Sequence, residues 1–375
     1  MGDKMKKKIL HVTGAMNIGG TETMLVNLYR KINKDIQFDF ISYSEEEAYY
    51  DKEIIQLGGK IIRLKPPNEV GFIGAIKDIK RVIKDNGSYD AVHTHMMFNC
   101  GLAMIAAYLA RVKVRVSHAH TTVDEGIGFI RKVYITLMRS FINLFSTDFL
   151  ACSNSAGKYL FGNKIINNKR YKVFPNYIDY DSFINCNDKT SIRKELGMNN
   201  DDIVLCHIGR FINAKNHEFL IKIANEMIKK NNNVKLILVG DGDLKKHIES
   251  KVKSLGIEKN VYFTGIRKDI ANILNNVDLF ILPSIYEGLG LVLLEAQASS
   301  LPCLVSESIQ PEVDLGVGLV KKLSLSYKVS IWEEEANKLI KKNKFNNIDV
   351  DKAIKKKKYD LKSILECLLS VYKFQ

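Results

Sequence analysis

No apolar run in these 375 residues approaches the roughly 18–20 that a bilayer-spanning helix requires, which excludes a chain threaded through a membrane by helices. The basic start, Lys4 and Lys6-Lys7-Lys8, leads into an apolar segment of only strand length and does not read as a signal peptide. The six cysteines, Cys100, Cys152, Cys186, Cys206, Cys303 and Cys367, are scattered, with no C-x-x-C pair and no metal-ligand spacing. Most lie in apolar segments, where a thiol acts as a small hydrophobe, so reduced structural cysteines in a cytoplasmic chain are expected. Zinc-finger, RRM-like and recognition-helix signatures are missing too, which sets nucleic acid aside as the partner of the +14 net charge. Phosphorylated substrates and an anionic membrane surface remain.

What is present is a chain of ordinary globular composition, 46% hydrophobic and 26% charged, long enough for two domains. Short β-branched runs alternate with longer helical ones, the pattern of parallel sheets with crossover helices. In the first half the expected strands are Ile9–Val12, Phe38–Tyr43, Ile61–Leu64, Ala91–His93, Val112–Ser117, Phe149–Ala151 and Lys172–Phe174. A polar stretch around Asn185–Lys189 interrupts the series. It resumes with Ile203–Ile208, Lys235–Val239, Val261–Phe263, Leu279–Leu282 and Cys303–Val305. The economical reading is an α/β chain of two Rossmann-like, doubly wound domains, residues 1–185 and 201–355, with a hinge over 186–200 and a closing helix in 356–375. Doubly wound sheets bind ligands beyond the carboxyl ends of their strands, so the expected active site is the cleft between the two domains.

The most informative run is Glu287-Gly288-Leu289-Gly290-Leu291-Val292-Leu293-Leu294-Glu295, which follows the expected strand ending at Leu282. Two glycines let backbone amides approach a ligand, and a helix-forming run begins at about Leu291. Free N–H groups and the helix dipole then converge on one point, which suits a phosphate, with hydroxyls reached by a carboxylate on either side. Ile208-Gly209-Arg210 ends another strand and Lys215 follows in the next loop, offering a forked donor and a compact cation. Val239-Gly240-Asp241-Gly242-Asp243 and Thr264-Gly265-Ile266-Arg267 are further strand-end glycine loops. Gly19-Gly20 precedes the first helix and is not part of a G-x-G-x-x-G motif.

Several motifs admit a bland reading. Asp241-Gly-Asp243 and Asp179-Tyr-Asp181 spell D-x-D, a metal motif elsewhere, but such pairs are frequent by chance. His93-Thr-His95 and His118-Ala-His120 end two strands, yet no carboxylate or cysteine spacing accompanies them, so no metal is expected there. Residues 129–145 are apolar, aromatic and basic without a single acid. They suit either a core helix with a basic outer face or an interfacial helix on anionic lipid.

Collectively these motifs resemble the retaining glycosyltransferases of the GT-B fold, family four, and most closely those that build bacterial exopolysaccharide or capsule. The resemblance covers about residues 8–310: an E-x7-E run at Glu287–Glu295, a G-R-x4-K-N segment at Gly209–Asn216, and a G-G-x-E loop at Gly19–Glu22. The common family form has glycine where Tyr177 stands, a departure on the hinge side. The resemblance implies transfer of a hexosyl unit from a nucleoside diphosphate sugar, UDP-linked, to a lipid-linked or saccharide acceptor, with anomeric retention and without a metal cofactor. It assigns the acceptor to the first domain, the nucleotide sugar to the second, and returns the C-terminal helix to the first. By the same resemblance Arg210 and Lys215 neutralise the donor diphosphate, Glu287 binds the donor sugar and Glu295 the ribose hydroxyls. Gly19, Gly20, Gly240, Ile266, Arg267, Gly288, Leu289, Gly290 and Leu291 line the donor site. His120, or alternatively His118, stands near the transferred sugar. The competing readings are a GT-B-like UDP-GlcNAc epimerase and a non-catalytic nucleotide-sugar-binding partner of a polysaccharide assembly complex.

Overall fold

The computed structural model describes residues 6–122, 128–174, 176–186, 191–341 and 347–374. The chain divides into two compact units, the first comprising residues 1–177 and 359–375 and the second residues 178–358. Within the stretch expected as a hinge, residues 187–190 lie outside the described residues, and Ser191–Glu195 is a short helix of the second unit. Pro175 also lies outside them.

The first unit holds a seven-stranded parallel sheet built from β1 (Lys7–Val12), β2 (Ile36–Ser42), β3 (Ile61–Arg63), β4 (Ala91–Thr94), β5 (Val114–Ala119), β6 (Asp148–Ala151) and β7 (Tyr171–Val173). Their order is β3-β2-β1-β4-β5-β6-β7. Central strands of a parallel sheet are covered by helices on both faces, which is why β4 reads as four consecutive buried residues. Ile79, Val82, Ile83, Met104 and Ala107, from the helices Pro67–Asp85 and Cys100–Leu109, pack on Leu10, Val12 and Val92. The helix Leu361–Tyr372 closes this unit, as expected for the end of the chain. Asp360 caps it by accepting from Ser363 N at 3.0 Å, and its Ile364, Leu368, Val371 and Tyr372 are buried.

The second unit repeats the plan with six parallel strands: β8 (Ile203–Ile208), β9 (Val234–Val239), β10 (Val261–Gly265), β11 (Leu279–Leu282), β12 (Cys303–Ser306) and β13 (Val320–Leu323). The order is β10-β9-β8-β11-β12-β13. Trp332, fully buried, anchors the core beside Leu220, Leu236 and Leu304 and donates its indole N–H to Ser324 O at 3.1 Å. Among the described residues, β13 is the one strand that sequence reasoning missed. Lys321 and Lys322 interrupt its apolar pattern because it is an edge strand, where lysine on an open edge opposes pairing with another chain.

In each sheet the winding direction reverses once, between β1 and β4 and between β8 and β11. Loops leaving two adjacent strands in opposite directions open a crevice at that point, and side chains there are free for a ligand.

Candidate active site

At the reversal in the second unit, the loop after β8 carries Arg210 and Lys215 and the loop after β11 carries Ser284 and Glu287. The two loops are stitched by Ile285 N donating to Ala214 O at 2.8 Å and by Asn216 Nδ2 donating to Pro283 O at 3.1 Å. Asn216 adopts the left-handed conformation (φ +54°), which ends the turn Asn213–Lys215 and starts the helix His217–Lys230. Lys215 is thereby turned onto Glu287, Nζ to Oε1 at 2.5 Å, and Ser284 Oγ donates to the same oxygen at 2.8 Å. Both side chains of the ion pair are largely enclosed, so their charges are weakly screened. Arg210, which precedes Lys215 in the same loop, is exposed. The Ser284 carbonyl is in turn held by Ser306 Oγ at 2.6 Å and Ser308 Oγ at 2.7 Å, which fixes the loop.

The run beyond Glu287 folds as its glycines suggest. Gly290 takes φ +86°, a conformation open to glycine, and the helix Leu291–Ala298 begins at the next residue. Leu289 is buried as a plug, and the amides of Gly288 to Leu291 lie at the helix start. Glu295, one turn inside the helix, is pushed up to about 7 by burial. Removal from water disfavours the carboxylate, and no neighbouring cation offsets it.

Gly240 is packed against the loop after β8. A Cβ there would lie 2.1 Å from Gly209 O, and its φ is +136°. Phe211 N donates to Asp241 O and Leu244 N to Phe211 O, both at 3.0 Å, so the loops after β8 and β9 form one backbone-bonded platform. Ile266 is exposed at the end of β10. Arg267 is engaged: its guanidinium grips Glu195 at 2.6 and 2.9 Å and Asp269 at 2.8 Å through two nitrogens, which raises its pKa and lowers those of both acids. Its side chain therefore braces the loop while Ile266 and the backbone remain presented.

Two buried histidines beneath the platform went unread in the sequence. His207 Nδ1 lies 2.8 Å from Ile281 O, while its Nε2 and both nitrogens of His217 have no partner. His217 stacks on Phe211 with centroids 4.1 Å apart and is lowered to about 4, by burial first and Lys215 second. They sit within an apolar strand and at a helix start, where nothing in the spacing signals them.

In the first unit Gly19 is the N-cap and Gly20 the first residue of the helix Gly20–Ile32, at the carboxyl end of the β1 loop. The two H-x-H pairs meet a third element. His11 of β1, His93 and His95 within and just after β4, and His118 and His120 of β5 and its end converge because β1, β4 and β5 are neighbours. His120 Nε2 lies 2.8 Å from His95 Nδ1, and His95 Nε2 lies 3.1 Å from His11 Nδ1. A second row runs from Tyr372 Oη to His93 Nδ1 at 2.8 Å and from His93 Nε2 to His118 Nδ1 at 3.2 Å. His11 Nε2, His118 Nε2 and His120 Nδ1 have no partner, each costing about 1–3 kcal/mol of desolvation. Burial lowers all five imidazoles, His120 to about 3. His118 is buried in the sheet, whereas His120 is half-buried at the strand end.

The helix Phe129–Phe145 spans the segment singled out in the sequence. Met138 and Ile142 are buried, and Arg139 donates to the carbonyls of Leu160 and Tyr159. Phe129 and Ile130 are 81% and 85% exposed, and Val133, Leu137 and Leu144 continue the same face. Phe72, also exposed, approaches Tyr134 of this helix at 5.9 Å between ring centroids. Among the described residues no helix is long and apolar enough to cross a membrane.

Two parallel Rossmann-like sheets, with a charged glycine platform at one reversal point, match the GT-B architecture of glycosyltransferases. The family model "Glycosyl transferases group 1" matches residues 188–323, and "Glycosyltransferase Family 4" matches residues 18–182. EpsF of Bacillus subtilis (strain 168), named as a glycosyltransferase, is 36% identical over 98% of this chain and 96% of its own length. The capsular polysaccharide biosynthesis glycosyltransferase CapH of Staphylococcus aureus is 29% identical over 92% of this chain and 94% of its own. Among solved structures, Alr3699/HepE of Anabaena in complex with UDP and glucose aligns with a TM-score of 0.79. That alignment covers 98% of this chain and 100% of the Anabaena chain at 19% identity. The chain belongs to the group 1 glycosyltransferases.

Proposed function

We propose that this protein transfers a hexosyl unit from a UDP-sugar to a lipid-linked or saccharide acceptor, with retention of anomeric configuration, in cell-surface polysaccharide synthesis. The observation that carries the reading is the Lys215–Glu287–Ser284 cluster at the reversal point, beside the helix start that carries Glu295. CapH, by its name, works in capsular polysaccharide synthesis, and HepE binds UDP and glucose.

In this reading the diphosphate lies against the amides of Gly288 to Leu291, with Arg210 and Lys215 compensating its charge, so that no metal is needed. As the glycosidic bond breaks, negative charge grows on the leaving phosphate, and donors fixed in advance stabilise it without reorganisation. Lys215 exchanges its bond to Glu287 for the phosphate, which frees that carboxylate to accept from a sugar hydroxyl. Glu295 accepts from the ribose hydroxyls, a task for which a carboxylate has only acceptor atoms. Ile266 flanks the base, and Gly240 gives the diphosphate room. His120 stands near the sugar. The exposed face of the helix Phe129–Phe145, with Lys132 on its flank, rests on the cytoplasmic surface of an anionic membrane, where a lipid-carried acceptor is met.

Transfer from radiolabelled UDP-hexoses to lipid and oligosaccharide acceptors tests the assignment. Glu287→Gln and Arg210→Ala are expected to lose at least about 100-fold in kcat, the scale of removing one transition-state donor, while the folded structure is kept. Wild-type turnover in both variants would overturn it.

A further inference from the structure

We propose that His95, His118 and His120 form a binding site for one divalent transition-metal ion of the Zn²⁺ class. One ring nitrogen of each lies within 4.8 Å of those of the other two. Zinc takes imidazole nitrogens at about 2.0–2.1 Å, so tetrahedral ligands stand about 3.3 Å apart. His95 Nδ1 and His120 Nε2, at 2.8 Å, need to part by only about half an ångström from that spacing.

Behind two of the three ligands, His118 and His95, the cluster has the form of a metal site's supporting shell. A ligating imidazole ordinarily gives its other nitrogen to a fixed partner, which sets its tautomer and orientation. Here His118 Nδ1 faces His93 Nε2, and His93 Nδ1 faces Tyr372 Oη; His95 Nε2 faces His11 Nδ1. That leaves His118 Nε2 and His95 Nδ1 for an ion, and His118 Nε2 is a buried atom with no partner of its own. His95 and His120 are only half-buried, so an ion has a way in. The alternative triad of His11, His93 and His95 is closed off, since His11 is fully buried against Phe38 and Phe40. Three protein nitrogens leave the fourth position of a tetrahedron for water.

The ion takes no part in the donor chemistry proposed above, and its binding is independent of that reading. Only one consequence rests on it: an ion held by His120 competes with that imidazole's place near the sugar.

The test is metal binding by the full chain after chelator stripping. Zn²⁺ is titrated against a chromophoric chelator, and Co²⁺ is followed by visible absorption. The expected result is one Zn²⁺ per chain with a micromolar or tighter Kd, and the d–d bands of four-coordinate Co²⁺. His95→Ala and His118→Ala are expected to weaken Zn²⁺ binding at least 100-fold, and His93→Ala, behind the ligands, about 10–100-fold. His247→Ala removes an exposed histidine paired with Glu218 and leaves binding unchanged. Equal affinity in wild type and His118→Ala overturns the proposal. Should the buried variant fail to fold, the wild-type Co²⁺ spectrum decides alone: no four-coordinate bands, no site.

Discussion

Replacing Glu295 by glutamine should stabilise the protein while disabling it. Burial raises the Glu295 carboxyl from 4.5 to about 7 in the folded chain, with no cation to offset the cost. A group whose folded pKa lies above its unfolded value is most favourable to folding below the unfolded pKa. That benefit fades as pH rises through the folded value. At about 1.4 kcal/mol per unit, wild type loses roughly 3 kcal/mol between pH 4.5 and 8, whereas glutamine, of the same shape and always neutral, loses nothing. Glu295→Gln should therefore exceed wild type by roughly 3 kcal/mol at pH 8 and by under about 1 kcal/mol at pH 5. For a unit of this size that is a rise of roughly 6–12 °C in the calorimetric transition at pH 8. In the proposed role, ribose hydroxyls favour the charged form, so UDP binding at pH 6.5 should release a fraction of a proton. Calorimetry in buffers of different ionisation enthalpy reads that release, and Glu295→Gln should abolish it. A stability difference between the two proteins that stays constant from pH 5 to pH 8 would refute the argument.

Gly240→Ala should cost about 2–5 kcal/mol in denaturant unfolding, because its methyl would meet Gly209 O at 2.1 Å in a backbone conformation unfavourable for alanine. Gly58→Ala, at φ +94° with open space around it, should cost only about 1 kcal/mol. Equal losses would deny the close packing of the platform. Phe129→Glu combined with Ile130→Glu should leave the melting point unchanged, since both side chains are more than 80% exposed, yet reduce cosedimentation with anionic vesicles at least tenfold. Undiminished vesicle binding would remove this helix from the membrane.

Much of this architecture can be read directly from the chain because parallel strands are buried on both faces. Val204-Leu205-Cys206 or Leu279-Phe280-Ile281-Leu282 has no other comfortable place than the middle of a sheet. β13 evaded that reading because an edge strand tolerates lysine. At the donor platform, residue types were legible and partnerships were not. Lys215 and Glu287 are 72 residues apart, and only the adjacency of β8 and β11 turns them into an ion pair. Arg267 looks in sequence like a free cation in a glycine loop, and Glu195, far upstream, claims it. The histidines are the sharpest case. Two H-x-H pairs without carboxylate or cysteine neighbours argued against a ligand set, whereas strand order brings in His11 and the helix Leu361–Tyr372 brings in Tyr372, neither of which bears any sequence relation to them.

The return of the last helix to the first unit has a consequence for biosynthesis. Tyr372 reaches His93 Nδ1 from a segment made after the whole of the second unit. While about 180 further residues are polymerised at 5–20 residues per second, the first sheet waits roughly 10–35 s with the surface meant for Ile364, Leu368 and Val371 exposed. A ribosome-bound chain of this kind is an unfinished vessel until the helix Leu361–Tyr372 emerges, and a truncation that removes this helix would damage the half of the protein that was made first.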